Sequence, residues 1–199
     1  MIQSIRPGLA ALALALLLTS PALKAEDDSR FHLAVYGGKA ADGRMLDIIS
    51  RFDTGFIDSW LVAVAPGWIH FEGNGWRSEV EGQVVRHWGE QDHWEFNTAY
   101  ILRWMRFPWD HRVDTRMAIG VGLSWATEVP FIEPRAKELG EEESRRFLGY
   151  VVMEVELAPP RESSWSGFVR LHHRSDAAGT FHNKRGGSNF ITLGTRYRF

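Results

Sequence analysis

Hydrophobic and polar residues alternate with a period of two along most of the chain. The last ten residues, Phe190–Phe199, show the pattern clearly, and their polar face ends in Arg196 and Arg198. The opposite face is mainly apolar and carries Ile191, Leu193, Thr195, Tyr197 and Phe199. Such alternation predicts a β-strand that lies between an apolar and a polar environment. A final aromatic residue on an alternating strand is also typical of the assembly signal of outer-membrane barrels.

The same alternation recurs upstream and predicts eight strands in all. Their expected ranges are 30–39, 57–71, 76–89, 93–105, 113–126, 146–158, 165–176 and 189–199. The second is the least regular, because Pro66-Gly67 is expected to interrupt it. Strands of a soluble β-sandwich also alternate. Here, however, the segments reach about ten residues or more, the length a tilted strand needs to cross a bilayer, and Trp residues lie near both ends of several apolar faces. We therefore predict an all-β protein, an eight-stranded antiparallel transmembrane β-barrel.

The lengths of the connections fit this topology. Short turns are expected at 73–75, 108–112 and 159–164, and longer loops at 40–56, 127–145 and 177–188. Outer-membrane barrels have short periplasmic turns and longer outer loops, so both termini are expected in the periplasm. The loop at 127–145 is charged and is compatible with a short helix.

The inward faces carry charges of both signs, which predicts a packed interior of ion pairs because buried charges must be paired. The set comprises Arg77, Arg103, Arg116, Arg170 and Arg196 with Glu79, Glu81, Glu95, Glu154 and Glu156. A barrel of this size has little interior room, so a conducting pore is not expected. We interpret Glu154 and Glu156 as structural partners of these arginines rather than as a catalytic carboxylate pair.

One further polar group, His87, Asp92 and His93, has residue types that bind metals. Its positions do not form a recognised ligand spacing. We interpret these residues as the polar rim of a loop, and we predict no metal site.

The first 25 residues are expected to be a secretory signal peptide, followed by the barrel over residues 26–199. Arg6 supplies the positive charge, and Leu9–Leu18 forms an apolar run too short to cross a bilayer as a helix. Cleavage is expected after Ala25 or Ala22. The protein would then be exported, handled by the outer-membrane assembly machinery and embedded in the outer membrane of a Gram-negative cell.

Composition narrows the function classes further. The chain has 199 residues and no cysteine, which excludes disulfides and a lipid-anchored cysteine. Its formal net charge of −2 offers no basic surface for nucleic acid, so no nucleic-acid partner is expected. Nine Trp and twelve Phe residues suit the aromatic girdles of a membrane barrel.

The seventh strand contains the residues that could carry chemistry. By parity its apolar, lipid-facing row continues into His173 and Ser175, whereas Arg174 falls on the inward row. Polar groups are unusual on the lipid face of a barrel. Two such residues on one strand face have Cα atoms about 7 Å apart, which allows a histidine to take the proton of a serine nucleophile. Both should lie level with the outer leaflet, where lipopolysaccharide presents lipid A.

The pattern His173-Arg174-Ser175, on the penultimate strand of such a barrel, resembles the PagL-type lipid A 3-O-deacylases. A looser resemblance, carried by the segments RWMRFPW, GLSWATEVP and HHRSD…GGSN, is to acyloxyacyl-hydrolase-like outer-membrane proteins. The resemblance implies that Ser175 is the nucleophile, His173 the base and Asn183 a donor in the oxyanion hole. It implies an ester-linked acyl chain of lipid A as the substrate, with no metal and no cofactor.

The chain departs from that family pattern at two positions. Asp176 stands where the family has Asn, and the acidic residue that orients the base would fall at Gly187, which has no side chain. Asn189 lies on the same outward face by parity, so we expect it to orient His173 instead, as an Asn does in some Cys-His sites.

Three basic residues complete the hypothesis, and one alternative stands beside it. Arg174, Lys184 and Arg185 are expected near the headgroup, where they could bind lipid A phosphates. The alternative is a non-catalytic barrel with a structural or lipopolysaccharide-binding role, in which His173 and Ser175 are ordinary polar residues at the membrane boundary.

Overall fold

The computed structural model describes residues 30–43, 45–51, 53–133, 146–160, 163–175 and 187–199. The strands are β1 (Phe31–Asp42), β2 (Gly55–Gly73), β3 (Trp76–Gly89), β4 (Trp94–Trp104), β5 (Asp114–Ala126), β6 (Phe147–Ala158), β7 (Trp165–Ser175) and β8 (Gly187–Arg198). One helix, α1 (Met45–Arg51), lies between β1 and β2. The expected signal peptide and most of the 127–145 loop fall outside the described residues.

The strands form one closed barrel in the order β1 to β8. Each strand pairs antiparallel with its neighbour in sequence, and β8 returns to pair with β1, from His32 opposite Arg198 to Ala41 opposite Asn189. The predicted fold class is therefore confirmed. We call the end with the connections 74–75, 105–113 and 159–164 the turn end, and the end with 43–54, 90–93, 127–146 and 176–186 the loop end. Among the described residues, no helix is both long and apolar enough to cross a membrane.

Most predicted strand ranges agree with the structure to within three residues, and β3 agrees at both ends. The expected interruption of β2 at Pro66-Gly67 is wrong. Pro66 pairs with Leu33 of β1, and the register with β3 is the same before and after this point. Proline lacks only its own N–H donor, so the strand continues past the missing bond.

The outer wall is apolar and the interior is polar, the reverse of a water-soluble protein. Outward-facing side chains of β4 and β5 such as Phe96, Leu102, Ile119 and Leu123 are exposed. Tryptophans lie near both ends of this wall: Trp60, Trp88, Trp94 and Trp125 at the loop end, and Trp68, Trp76, Trp104, Trp109 and Trp165 at the turn end. Two aromatic girdles with an apolar band between them match the two interfaces and the hydrocarbon layer of a bilayer.

Ion pairs fill the interior between mid-barrel and the turn end, as the sequence predicted. Arg103 donates to Glu79 at 2.7 Å and also to Glu154 and Glu156 at 2.7 Å each. Arg170 donates to Glu81 at 2.7 Å and contacts Glu154 at 2.6 Å. Arg116 and Arg196 also bind these carboxylates. Each buried charge thus has charged partners, which offsets the cost of removing it from water.

Helix α1 was not predicted, and it packs against the outside of the barrel. Its Ile48 is buried in a cluster with Ala41 of β1 and Leu171 of β7, two outward-facing residues that the helix covers. Met45, Met153 and Ile191 border the same cluster. A helix of seven residues is too short to be stable alone. Burial of Ile48 against the wall stabilises it, and the helix in turn covers the wall beside the candidate site.

Candidate functional site

A polar patch interrupts the apolar wall at the loop end of β7 and β8. It consists of His173 and Ser175 on β7 and Asn189 on β8, where His173 pairs with Asn189 and Ser175 with Gly187. The lumen-facing residues of β7 are Phe168, Arg170, His172 and Arg174, all of them buried. His173 and Ser175 alternate with this row, so they face outward, as the parity of the sequence predicted.

The His173 ring is held by Asn189. The Nδ1 of His173 lies 2.7 Å from the Oδ1 of Asn189. The amide of Asn189 donates from Nδ2 to the carbonyl oxygen of Gly43 at 2.7 Å. Since that carbonyl can only accept, the Oδ1 must be the atom that faces His173. Oδ1 is an acceptor, so Nδ1 carries the proton, and the neutral ring keeps its lone pair on Nε2.

The residue directly opposite Ser175 is a glycine on each of the two neighbouring strands. It pairs with Gly149 of β6 and with Gly187 of β8. Neither neighbour has a side chain, and Gly149 is itself buried. Ser175 is half-buried, and it makes a contact within the protein.

Gly187 is not a position into which an acidic side chain fits. A Cβ atom built there would overlap the carbonyl oxygen of Arg174 and crowd the Cα of Ser175 at 3.3 Å. Backbone atoms in a paired strand cannot move aside cheaply. The orienting residue of the resembled family therefore has no room here, whereas Asn189 occupies the position directly opposite His173.

The expectation for Arg174 is wrong. Its side chain points into the barrel, is 1 % exposed, and lies 3.3 Å from Glu133 and 3.1 Å from the carbonyl oxygen of Arg146. A lipid on the outer wall cannot reach this guanidinium. Asn183, Lys184 and Arg185 lie outside the described residues, so the roles expected for them stay predictions.

A second Ser–His pair lies on the outer wall, and sequence reasoning missed it. Near the turn end, the Nε2 of His70 on β2 is 3.0 Å from the Oγ of Ser78 on β3. The hydroxyl of Tyr100 on β4 approaches the same Nε2 at 3.2 Å. The Nδ1 of His70 is buried and has no hydrogen-bond partner among the described residues. A register shift of β2 between Ile69 and Phe71 obscures the parity that would have placed His70 beside Ser78.

The loop end of the interior holds a group of histidines around Glu95. His87 and His172 each place Nε2 at 2.9 Å from a carboxylate oxygen of Glu95. His93, in the connection between β3 and β4, stacks on His87 with ring centroids 4.4 Å apart. Burial, and then the neighbouring His87, lowers the pKa of His93 to about 4. The interpretation of His87 and His93 as a solvated loop rim is wrong, because both rings are buried.

An apolar wall between two aromatic girdles, closed around a charged interior, defines a transmembrane β-barrel. Among solved structures, the outer membrane enzyme PagL is similar, with a TM-score of 0.60 and 8 % identity over 84 % of this chain and 99 % of that one. Neisserial surface protein A has a TM-score of 0.51 and 11 % identity over 85 % and 97 %. No protein-family model and no curated protein matches the sequence. At these identities the likeness establishes the fold of outer-membrane barrels alone.

Proposed function

We propose that this barrel resides in the outer membrane and hydrolyses an ester-linked acyl chain of lipid A on its lipid-facing wall. The observation that carries the proposal is the contact between His173 and Asn189, which holds a histidine on the outside of the barrel with its proton on Nδ1. The resemblance of His173-Arg174-Ser175 to the PagL-type deacylases supplies the substrate class.

The chemistry follows from the ring that Asn189 orients. The Nε2 of His173 accepts the proton of Ser175 as the serine Oγ attacks the ester carbonyl. The tetrahedral intermediate collapses when His173 returns that proton to the leaving sugar hydroxyl, which leaves an acyl group on Ser175. A water molecule, activated by the same nitrogen, then releases the fatty acid. Asn189 contacts no reacting atom, so it is a positioning residue.

The proposal assigns roles to three further residues, all of which lie outside the described part of the chain. Asn183 is expected to donate to the oxyanion, and Lys184 and Arg185 to bind the lipid A phosphates. Arg174 has no part in substrate binding.

The second candidate function is a barrel that stabilises the membrane or binds lipopolysaccharide without catalysis. Gly187 favours it, because the acidic orienter of the resembled family is missing and cannot be accommodated there. An amide in place of a carboxylate still fixes the histidine tautomer. It gives less stabilisation to the protonated ring that forms during attack, so a slow hydrolase is expected.

The two functions are separated by mass spectrometry of lipid A from cells that express the protein, its Ser175→Ala variant or no barrel. Ser78→Ala is a matched control, since Ser78 also lies beside a wall histidine. Heat-shifted migration in gels verifies that each barrel is folded. Loss of one acyl chain in the wild type and in Ser78→Ala, but not in Ser175→Ala, supports the hydrolase. Identical lipid A in all strains contradicts it and favours the non-catalytic barrel.

A further inference from the structure

The interior of the loop end contains a group of side chains that suits a metal ion. His87, His93 and Glu95 each offer a ligand atom, and these three atoms lie within 4.8 Å of one another. The carboxylate of Glu95 accepts from His87 at 2.9 Å, and all three residues are buried. Two imidazoles and one carboxylate form a common ligand set for Zn²⁺ and related divalent transition metals.

Two buried polar atoms beside this group lack partners. The Nε2 of His93 and the Oε1 of Gln91 have no hydrogen bond within the part of the chain that the structure describes. Buried polar atoms are nearly always satisfied, so each unsatisfied one needs an explanation. A metal bound at Nε2 of His93 would account for the first of these atoms.

Gln91 can adapt to the proton that His87 must move when it binds a metal, without accounting for the unpartnered atom. At present the amide of Gln91 lies 3.0 Å from the Nδ1 of His87 and donates to it, so His87 carries its proton on Nε2 and gives it to Glu95. Coordination through Nε2 shifts the proton of His87 to Nδ1. Rotation of the Gln91 amide by half a turn then lets its Oε1 accept a hydrogen bond from the protonated Nδ1 of His87. A ligand histidine whose other nitrogen donates to an oxygen is the usual outer-shell arrangement of protein metal sites.

We propose that His87, His93 and Glu95 bind a divalent transition-metal ion of the Zn²⁺ class, with water as the fourth ligand. Tetrahedral ligands at 2.0–2.1 Å from zinc are about 3.3 Å apart, so the group must contract slightly from its present spread of 4.8 Å. Side-chain rotation of His93 would provide this movement; it breaks no hydrogen bond of Nε2 within the described residues, but it gives up the stacking of His93 on His87. The site differs from the expectation that the chain needs no metal, and it is independent of the proposed hydrolase.

The surrounding charges limit which ions can bind. Arg174 lies 3.9 Å from Glu95, and the positive charge of this arginine disfavours a cation. Glu133 lies closer to Arg174, at 3.3 Å, and partly neutralises that charge. With one carboxylate among three ligands, the site is poor for Mg²⁺ and Ca²⁺, which need oxygen ligands. Imidazole ligands favour Zn²⁺, Ni²⁺ and Cu²⁺.

The test is calorimetric titration of the full-length barrel in detergent with Zn²⁺, and with Mg²⁺ for comparison. We expect one Zn²⁺ per chain with a micromolar or tighter Kd, and no binding of Mg²⁺. His93→Ala should weaken Zn²⁺ binding at least tenfold, whereas the control His70→Ala, which removes a histidine from the outer wall, should leave it unchanged. Heat-shifted gel migration verifies folding of both variants.

A second readout uses Co²⁺ in place of Zn²⁺. Tetrahedral coordination gives Co²⁺ visible absorption bands, which should appear with the wild type and with His70→Ala but not with His93→Ala. Absence of Zn²⁺ binding by the wild type, or binding and bands that persist in His93→Ala, would overturn the proposal.

Discussion

Two Ser–His pairs lie on the lipid-facing wall of this barrel, and they differ in which ring nitrogen is held. At the turn end, Ser78 and Tyr100 both contact the Nε2 of His70, and the Nδ1 has no partner among the described residues. At the loop end, Asn189 holds the Nδ1 of His173. A base must present a lone pair at the nitrogen that faces the nucleophile, with the other nitrogen oriented. Of the two histidines, His173 therefore has the orientation that the proposed hydrolase requires, because Asn189 holds its Nδ1.

Access differs between the two pairs as well. Ser78 is 4 % exposed. Ser175 is half-buried between two glycines, Gly149 and Gly187. A short distance between a serine and a histidine on the outer wall is therefore not enough to assign a catalytic role to the pair. The two pairs differ in the hydrogen bond on the far side of the histidine ring and in the size of the residues that flank the serine.

The largest expected effect on the rate of deacylation comes from replacing His173, and the same replacement at His70 is the comparison. His173→Gln should lower the rate of lipid A deacylation by at least about 1,000-fold, since it removes the proton acceptor. His70→Gln should change the rate less than twofold. Release of fatty acid by purified barrels in lipid A micelles measures both. An equal loss of rate in the two variants would contradict the assignment of His173 as the base.

Removing the orienting amide should have a smaller effect. Asn189→Ala leaves Ser175 and His173 in place but frees the ring, and loss of a hydrogen bond of about 1–3 kcal/mol corresponds to roughly a 5- to 150-fold lower kcat. The KM should stay the same, because Asn189 does not touch the substrate. Steady-state kinetics distinguish the two constants. A raised KM with unchanged kcat would mean that Asn189 shapes the substrate site instead.

Restoring the acidic residue of the resembled family should harm the barrel rather than help it. In Gly187→Glu the added Cβ meets the carbonyl of Arg174, and such overpacking costs about 1–3 kcal/mol of stability. Urea unfolding in lipid vesicles, followed by tryptophan fluorescence, measures this loss. Gly187→Ala provides a control for the added charge, because it adds the same Cβ atom without a carboxylate and should lose most of the same stability. Higher deacylase activity in Gly187→Glu would contradict the steric argument.

The smallest effect is expected at the turn end. Tyr100→Phe removes the hydroxyl that shares His70 with Ser78, which should cost about 0.5–1.5 kcal/mol of stability and leave deacylation unchanged. The same unfolding and kinetic assays apply. A change in lipid A turnover would indicate that the turn-end pair contributes to function.

The sequence was sufficient for the barrel and for the direction in which its side chains point. A period of two along β7 places His173 outside and His172 inside without reference to any other strand. Parity cannot give the partner of a side chain across a strand pair unless the register is known. For Asn189, parity gave the outward face and the expectation that it orients His173, and the β7–β8 register adds that the two residues are directly opposite each other.

The features that sequence reasoning missed depend on contacts between distant segments. Helix α1 is stabilised by Ile48 against Leu171, more than 100 residues away, and its seven residues are too few for a visible helical period. Burial of His87 and His93 depends on the closed interior around Glu95. Arg174 is different, because the parity of β7 places it on the inward row, and its position next to Ser175 in sequence does not bring its side chain to the outer wall.

The hydrogen bond from Asn189 to Gly43 joins the last strand of the barrel to the segment that follows the first. The strands between these two segments must therefore have folded before the imidazole of His173 is oriented. An unfolded chain has a serine and a histidine two residues apart and nothing to align them. The orientation of the His173 ring is therefore a product of barrel closure, which brings Asn189 and Gly43 together, and is absent from the chain before it folds.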